Sequence, residues 1–434
     1  MPRTKRLLDD CFLTDADRLT HHEAQALLRE RIGPVVDIET IPLIEAAGRI
    51  LAEDIVAPRD VPAADNSAVD GYAFAYADYV AGDGWFPISA RIAAGHAADT
   101  PLATGTAARI FTGAVMPAGA NTVAMQEDCT REERDGTEWV HIPPGLKDGA
   151  NRRRAGEDIQ AGAAILSPGV RLRPQEVGAI ASTGKNDVTV YRRLKVALVS
   201  TGDEIIRPGN PLGPGQVYDT NHFLLTMLLQ AAGAEPVDVG VLPDDADKIQ
   251  ATLADLAATY DAIVTSGGAS LGEEDHLIDA IDALGHRHLW QIAIKPGRPM
   301  SFGQIGDCVV LGLPGNPVAA FNCFLSYVRP TLVAMSGGGF ELPRAMMIPA
   351  AFEVPKRKLG RREFLRGILV TGDDGTLRVQ KFARDGSGII TSLREADGLI
   401  EIDEDTPSIE EGAPVRVLLF TEFGLPPRSV STSV

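Results

Sequence analysis

Residues 261–275 read Asp-Ala-Ile-Val-Thr-Ser-Gly-Gly-Ala-Ser-Leu-Gly-Glu-Glu-Asp. The first five have the length and apolar content of a short buried strand, and they run directly into Ser266, Gly267 and Gly268. Adjacent glycines allow positive φ and let a ligand approach the backbone without meeting a Cβ. Successive backbone N–H groups in such a turn form an anion-binding nest. Glu273, Glu274 and Asp275 follow at once. Acids beside an anion site imply a bridging divalent cation, so the segment suggests phosphate plus metal. An ordinary strand-to-helix turn has the same appearance, because the macrodipole favours acids at a helix N-terminus. The surrounding elements decide what kind of sheet this strand belongs to.

Upstream, residues 195–200 (Lys-Val-Ala-Leu-Val-Ser) read as a buried strand, 221–232 as an apolar helix and 237–242 as a strand. Residues 244–260 follow as a helix on which Ile249, Leu253, Leu256, Ala257 and Tyr260 keep a 3.6-residue period. Downstream come a helix over 276–284, strands over 289–295 and 308–313, and a helix from Pro317. Strands alternating with helices of this length predict a multidomain α/β plus β protein. Its centre, residues 191–340, is a doubly wound, mostly parallel sheet of nucleotide-binding type. Outside it the texture changes. Residues 18–33 predict a helix with Thr20 and Glu23 spaced as a capping box and Gly33 as a stop, and 44–51 a second short helix. Residues 61–158 are dense in Gly, Pro and Ala with short apolar stretches, which predicts a β-rich middle domain. Residues 159–190 return to join 18–60 in a mixed linker domain. Residues 341–424 predict a C-terminal β domain, with Gly372-Asp-Asp-Gly375 as a hairpin turn between 364–370 and 377–382.

A chain of 434 residues with 44% hydrophobic residues has enough apolar content for two to four such cores. The formal charge of −18 argues against nucleic acid or an anionic membrane as partner, since both need a basic footprint. Four scattered cysteines show no metal-ligand spacing, which points away from disulfides and toward a reducing cytoplasm. The first residues lack the apolar core of a signal peptide, and no long uninterrupted apolar run occurs. A cytoplasmic, soluble protein is the expectation.

In an open parallel sheet, ligands bind outside the carboxyl ends of the strands. Here those ends are chemically loaded. The first strand exits into Ser200-Thr-Gly-Asp-Glu204, the second into Pro243-Asp244-Asp245, the third into the glycine segment, and the last into Pro314-Gly315-Asn316-Pro317. Asp244 suits either a helix N-cap or a site. Asn316 before Pro317 is a good N-cap and N1 pair, and a helix N-terminus also binds anions. Of the neighbours Asp203 and Glu204, only one can face the site along an extended chain, and Glu204 is the choice adopted. Lys295-Pro-Gly-Arg298 supplies a point charge and a planar fork suited to an oxyanion, or else a solvated basic turn. In the middle domain, residues 65–72 (Asp-Asn-Ser-Ala-Val-Asp-Gly-Tyr) suit an Asx-type turn or a site. Residues 152–158 (Arg-Arg-Arg-Ala-Gly-Glu-Asp) suit an anion contact or a salt-bridged turn.

Taken in order, Asp65 to Tyr72, Thr112-Gly113 with Met116-Pro117, Gly156-Glu-Asp158, Ser200 to Glu204, Thr265 to Gly268 through Asp275, Lys295-Pro-Gly297 and Leu313 to Pro317 resemble one family. It is the molybdopterin molybdenumtransferases, the MoeA and gephyrin E-domain family. The resemblance spans roughly residues 18–400. It implies an elongated homodimer of four-domain subunits, its active site lying where one subunit's nucleotide-binding-like domain meets the other's β-rich domain. It further implies that molybdate and adenylyl-molybdopterin give molybdenum cofactor and AMP, with Mg²⁺ required. Carried over residue by residue, the catalytic set is Asp65, Asp158, Glu204, Asp244, Asp275 and Thr112, with Glu204, Asp244 and Asp275 as metal ligands. Lys295 and a C-terminal serine matched by Ser387 join Ser266, Gly267, Gly268, Arg298, Pro314, Gly315 and Asn316 in binding substrate. Carboxylates alone would repel so anionic a substrate, and Mg²⁺ resolves that conflict. No cysteine is required, because the substrate supplies the sulfurs. Two positions depart from the family: Gln291 stands where some relatives carry a basic residue, and Arg298 where a lysine is common. Competing readings are the adenylyltransferase of the preceding step, whose fold resembles residues 195–335 alone, a scaffold of the same fold, and a tungstate-handling relative. Proteins that deliver the substrate or receive the cofactor are the expected further partners.

Overall fold

The computed structural model describes residues 18–267 and 276–428; Gly268, Glu273, Glu274 and Asp275 lie outside the described residues. At its centre is a six-stranded sheet in the order Glu235–Leu242, Lys195–Thr201, Ala262–Ser266, Cys308–Leu313, Ser301–Ile305, His286–Trp290. The first four run parallel, Ser301–Ile305 runs against them, and His286–Trp290 pairs antiparallel to it. Alternation divides the side chains between two cores. Val196, Leu198, Val264 and Leu311 face helix Thr220–Ala231 and the long helix Pro317–Met335. Ala197, Val199, Ile263 and Val310 face helices Ala246–Ala257 and His276–Leu284. Helices on both faces make the sheet doubly wound, as its near-continuous apolar strands require. The 317–335 helix, apolar on all sides, is a core helix enclosed by the protein. It contains one π turn, Phe324–Val328.

Three local expectations need correction. The strand expected over 289–295 is two elements. Trp290 ends the edge strand, Gln291 takes φ +66°, and Ile294–Lys295 then pairs with Arg362 and Glu363 of another sheet. A left-handed residue cannot continue a strand, so the chain leaves the first sheet there. The helix expected over 44–51 is only the turn Leu43–Glu45, because Gly48 at φ +78° reverses the chain and Ile50 and Leu51 bridge to Arg171 and Val190. Helix His21–Arg31 has both halves of the Thr20–Glu23 capping box, but Ile32 in extended conformation ends it before Gly33.

The remaining sheets are antiparallel or mixed. Residues 18–60 and 159–190 meet through Ile38–Pro42 against Asp187–Tyr191 and Ile55–Val56 against Ala164–Leu166. The Gly-, Pro- and Ala-rich middle folds into six strands, Thr122–Met125, Gly71–Phe74, Ala107–Ile110, Trp85–Ile92, Thr137–His141 and Thr130–Arg134, with a small core on each face. In the C-terminal sheet, Arg362–Thr371 pairs on one side with Gly398–Ile402 and on the other with Ile294–Lys295 at its start and Leu377–Lys381 at its end. The chain around Lys295 is therefore a seam between two sheets.

Candidate active site

The strand Lys195–Thr201 sits between Glu235–Leu242 and Ala262–Ser266, and the helices that follow it and the third strand leave on opposite faces. That reversal is a topological switch point and opens a crevice at the carboxyl edge. Gly267 lines it at φ +96°, and a Cβ there would lie 2.7 Å from Thr201 Oγ1, so only glycine fits. Asn221, second residue of its helix, donates from Nδ2 to Ser266 Oγ and to the Gly315 carbonyl, each at 2.7 Å. One buried amide thus ties the turn after the third strand to the turn before helix Pro317. Asn221 Oδ1 and Ser200 Oγ are buried without a hydrogen-bond partner among the described residues.

At the neighbouring strand ends, Asp203 and Asp244 exchange hydrogen bonds. Asp203 N donates to Asp244 Oδ2 and Asp244 N to Asp203 Oδ1, both at 3.2 Å. The helix cap is Asp245, whose carboxylate accepts from Lys248 N, so Asp244 is released from that duty. Glu204 is exposed, its carboxylate folded against Gly202. The residue paired with Asp244 is therefore Asp203, the neighbour that sequence reasoning set aside. Among the described residues no three His, Cys, Asp or Glu side chains form a ready metal cluster. The donor chemistry nonetheless fits Mg²⁺, which takes one or two carboxylates and fills its remaining positions with water and substrate phosphate.

Beyond the Lys295 seam lies a cavity of about 760 Å³ between the central sheet and the C-terminal domain. Of the residues that the resemblance and the turns assign to substrate, Lys295, Arg298, Pro314, Asn316 and Ser387 line it. Arg18, Lys358, Arg361 and Arg366 line it too, so six cations face one carboxylate, Asp385. Sequence reasoning missed these four. The 295–298 loop is held from the long helix: Asn322 Nδ2 donates to the Pro296 carbonyl and Cys323 Sγ to that of Gly297. Gly297 takes φ +110°, and a Cβ there would collide with Cys323 Sγ. Lys295 Nζ lies 3.9 Å from buried Glu363, which also pairs with Arg361 and Arg357. Arg366, 4% exposed, donates to the carbonyls of Arg384 and Gly386 and to Ser392 Oγ, shaping the loop that carries Ser387. The Ser387 carbonyl in turn accepts from Val318 N at the start of the long helix. Asn316 makes no side-chain cap there.

The middle-domain residues stand apart within one chain. Asp65 accepts from Ala155 N at 2.8 Å and pairs with Arg152 at 3.1 Å. Thr112 donates from both N and Oγ1 to Asp70 Oδ1 at 2.7 Å, and the first of these bonds holds the Asp70 carboxyl below its ordinary range. Asp158 N donates to the Val61 carbonyl. These partners all belong to the β-rich domain, and none lines the cavity. Of the arginine triplet, Arg152 serves as the partner of Asp65.

A doubly wound sheet whose carboxyl edge carries a glycine turn, paired acids and a cationic cavity defines a protein built for a phosphorylated, polyanionic small molecule. The comparisons with known proteins specify which. Residues 19–184 match the MoeA N-terminal region (domain I and II), 197–334 a probable molybdopterin binding domain, and 348–420 the MoeA C-terminal region (domain IV). The molybdopterin molybdenumtransferase of Haemophilus influenzae is 34% identical over 93% of this chain and 99% of its own length. That of Bacillus subtilis is 31% identical over 89% and 90%. The crystal structure of the molybdopterin biosynthesis MoeA protein from Pyrococcus horikoshii superposes with a TM-score of 0.79 at 30% identity, covering 93% of this chain and all of the other. The chain belongs to the MoeA family of molybdopterin molybdenumtransferases.

Proposed function

We propose that this enzyme of molybdenum cofactor biosynthesis takes adenylylated molybdopterin and molybdate and releases molybdenum cofactor and AMP. The observation that carries the reading is the division of the carboxyl edge into two chemically opposite halves. The cationic cavity, with Lys295, Arg298, Arg366 and Ser387, suits molybdate or the pterin phosphate directly. The switch-point turn at Ser266 and Gly267, with Asn221 behind it, suits the nucleotide side. Asp203, Glu204 and Asp244, together with Asp275, would hold Mg²⁺, which when bound polarises the phosphoanhydride. The chain's own groups orient the anhydride between the two halves, where a bound molybdate oxygen assists its cleavage and the substrate's dithiolene captures molybdenum.

The site is completed in a homodimer. Asp65, Asp158 and Thr112 have described partners only within their own domain, so their part in the reaction requires a second copy that brings them to the crevice. The exposed side chains of Phe223 and Met227, one turn apart on helix Thr220–Ala231, supply apolar surface for such a contact. The single-domain adenylyltransferase reading is not supported, since relatives match this chain across all its domains.

The test is to incubate purified protein with adenylyl-molybdopterin, Mg²⁺ and molybdate and to measure AMP. Molybdate-dependent AMP release with active cofactor is expected, and its absence refutes the reading. Asp275→Ala is expected to abolish turnover with the fold intact; retained activity removes that residue from the mechanism.

A further inference from the structure

Gln291 is held more firmly than a cavity-edge residue needs to be. It occupies the left-handed region at φ +66°, is 8% exposed, and accepts on Oε1 from two nitrogens of Arg298: Nε at 3.2 Å and Nη2 at 3.0 Å. The backbone around it is fixed on three sides. Ile292 N donates to the Arg298 carbonyl, Ala293 N to that of Leu19, and Arg362 N to that of Ala293. The frame is therefore set by the backbone, and the carboxamide is free to act on one thing, the guanidinium of Arg298.

Arg298 is exposed, lines the cavity, and has no carboxylate partner among the described residues. An unrestrained arginine at such a position samples many rotamers and loses that freedom when it binds an anion. A glutamate at position 291 would restrain it equally well but cancel its charge. The amide restrains and does not cancel. It occupies Nε and one Nη2 hydrogen, leaving Nη1 and the other Nη2 hydrogen as a two-pronged donor of fixed orientation.

We propose that Gln291 is a positioning residue that sets oxyanion affinity by pinning Arg298 as a preorganised, uncancelled fork for a tetrahedral dianion. This deepens the reading of the cavity as the oxyanion site and rests on it. Gln291 acts only through Arg298, and its effect disappears when Arg298 is removed.

The test is calorimetric titration of molybdate, and separately of inorganic phosphate, into the full-length protein without adenylylated substrate, so that no turnover is required. Gln291→Met keeps the side-chain length and removes the carboxamide, acceptor and donor together; Gln291→Ala is a second variant should Met disturb packing. Either is expected to weaken molybdate binding about three- to tenfold, the cost of ordering one rotamer-rich side chain on binding. In an Arg298→Ala background the same substitutions are expected to change nothing further, the signature of complete coupling. Gln291→Glu, which keeps the fork and cancels the charge, is expected to weaken binding more than Gln291→Met. Unchanged affinity in Gln291→Met, or an equal loss with and without Arg298, overturns the proposal. Failure of the parent protein to bind either anion overturns it together with the cavity reading. Anion binding without AMP release refutes molybdenum insertion alone and leaves the role of Gln291 standing.

Discussion

Removing Asn221 tests whether the two loaded turns are held as one unit. In Asn221→Ala the Nδ2 bonds to Ser266 Oγ and the Gly315 carbonyl are both lost. A typical intramolecular hydrogen bond contributes about 1 kcal/mol net, and a buried partner left without one adds a desolvation cost. Ser266 is buried and bears that cost, whereas Gly315 is exposed and regains water. The expected loss is about 2–3 kcal/mol, most of it from the Ser266 side. Ser266→Ala removes one of the two bonds without stranding the Gly315 contact, and should cost about 1 kcal/mol. The double variant should fall short of additivity by about the same amount, because the Asn221–Ser266 bond is counted in both single changes. Asn221→Asp lets Ser266 donate in the reverse sense but repels the Gly315 carbonyl and buries a charge, so it should be worse than alanine.

The measurement is urea unfolding followed by far-ultraviolet circular dichroism of the full-length protein. A shifted midpoint at constant slope isolates the stability change. Misplacing a positioning turn by about 1 Å can cost up to about 100-fold, so kcat/KM for AMP release should fall well beyond what the lost stability explains. A loss under about 0.5 kcal/mol with unchanged kcat/KM would refute the idea that this amide couples the turns.

Four further outcomes follow from the same geometry. Burial, then the Arg362 charge, lowers the His21 pKa from 6.5 to about 3, so below pH 6.5 the unfolded chain takes up the proton first. Stability is full above that pH and is lost progressively toward pH 3, about 2 kcal/mol by pH 5; His21→Gln should flatten the pH 7-to-5 slope of unfolding free energy. Glu401→Gln removes a buried partner of Arg362 and of Arg416 and should cost about 3 kcal/mol in chemical denaturation, the low end for a broken buried pair because Glu404 and Asp403 still hold Arg362. Gly297→Ala meets both positive φ and the Cys323 sulfur and should lose about 3 kcal/mol, with a weaker anion complex seen by calorimetry. Arg366→Lys cannot reproduce three hydrogen bonds from one planar group, so KM for the adenylylated substrate should rise while the lysine keeps the charge.

The central sheet was legible because its code is local: apolar strands, 3.6-period helices and glycine turns repeat within a few residues. The same held for the Thr20–Glu23 box and the 372–375 hairpin turn. The anion cavity was only half legible. Lys295 and Arg298 announce themselves in a short turn, but Arg18, Lys358, Arg361 and Arg366 reach the cavity from other elements and no local pattern joins them. One signal was present. Residues 362–370 alternate as a strand yet place Arg362 and Arg366 on the face that the apolar code reserves for the interior, and such arginines must meet carboxylates, carbonyls or a ligand. Asn221 was hidden for the opposite reason. It opens a strongly apolar helix, where an amide looks like an end residue facing water. The split at Gln291 was also beyond a period-two reading, since alternation records side-chain faces and not a single left-handed φ.

The distribution of charge explains why the net value of −18 misleads about the ligand. Salt screens exposed charges over about 8 Å at physiological ionic strength, so acids scattered over the surface contribute little inside a recessed cavity. What an anion meets there is the local set, six cations against Asp385, with Glu363 behind Lys295 and Arg361. At the neighbouring strand ends the balance inverts, with Asp203, Glu204, Asp244 and Asp245 crowded into two turns. A phosphate cannot approach those turns unaided, so whatever serves that half of the substrate must bring positive charge with it. A site with one half ready for an anion and the other ready for an anion only with a cation binds in an enforced order of polarity. Exchanging the halves would leave the cavity cations beside the proposed Mg²⁺ and the acids beside the bare oxyanion, which is unfavourable at both ends. On the reading proposed above, the orientation of the adenylylated polyanion across the edge is set by electrostatics before any contact with its base is made.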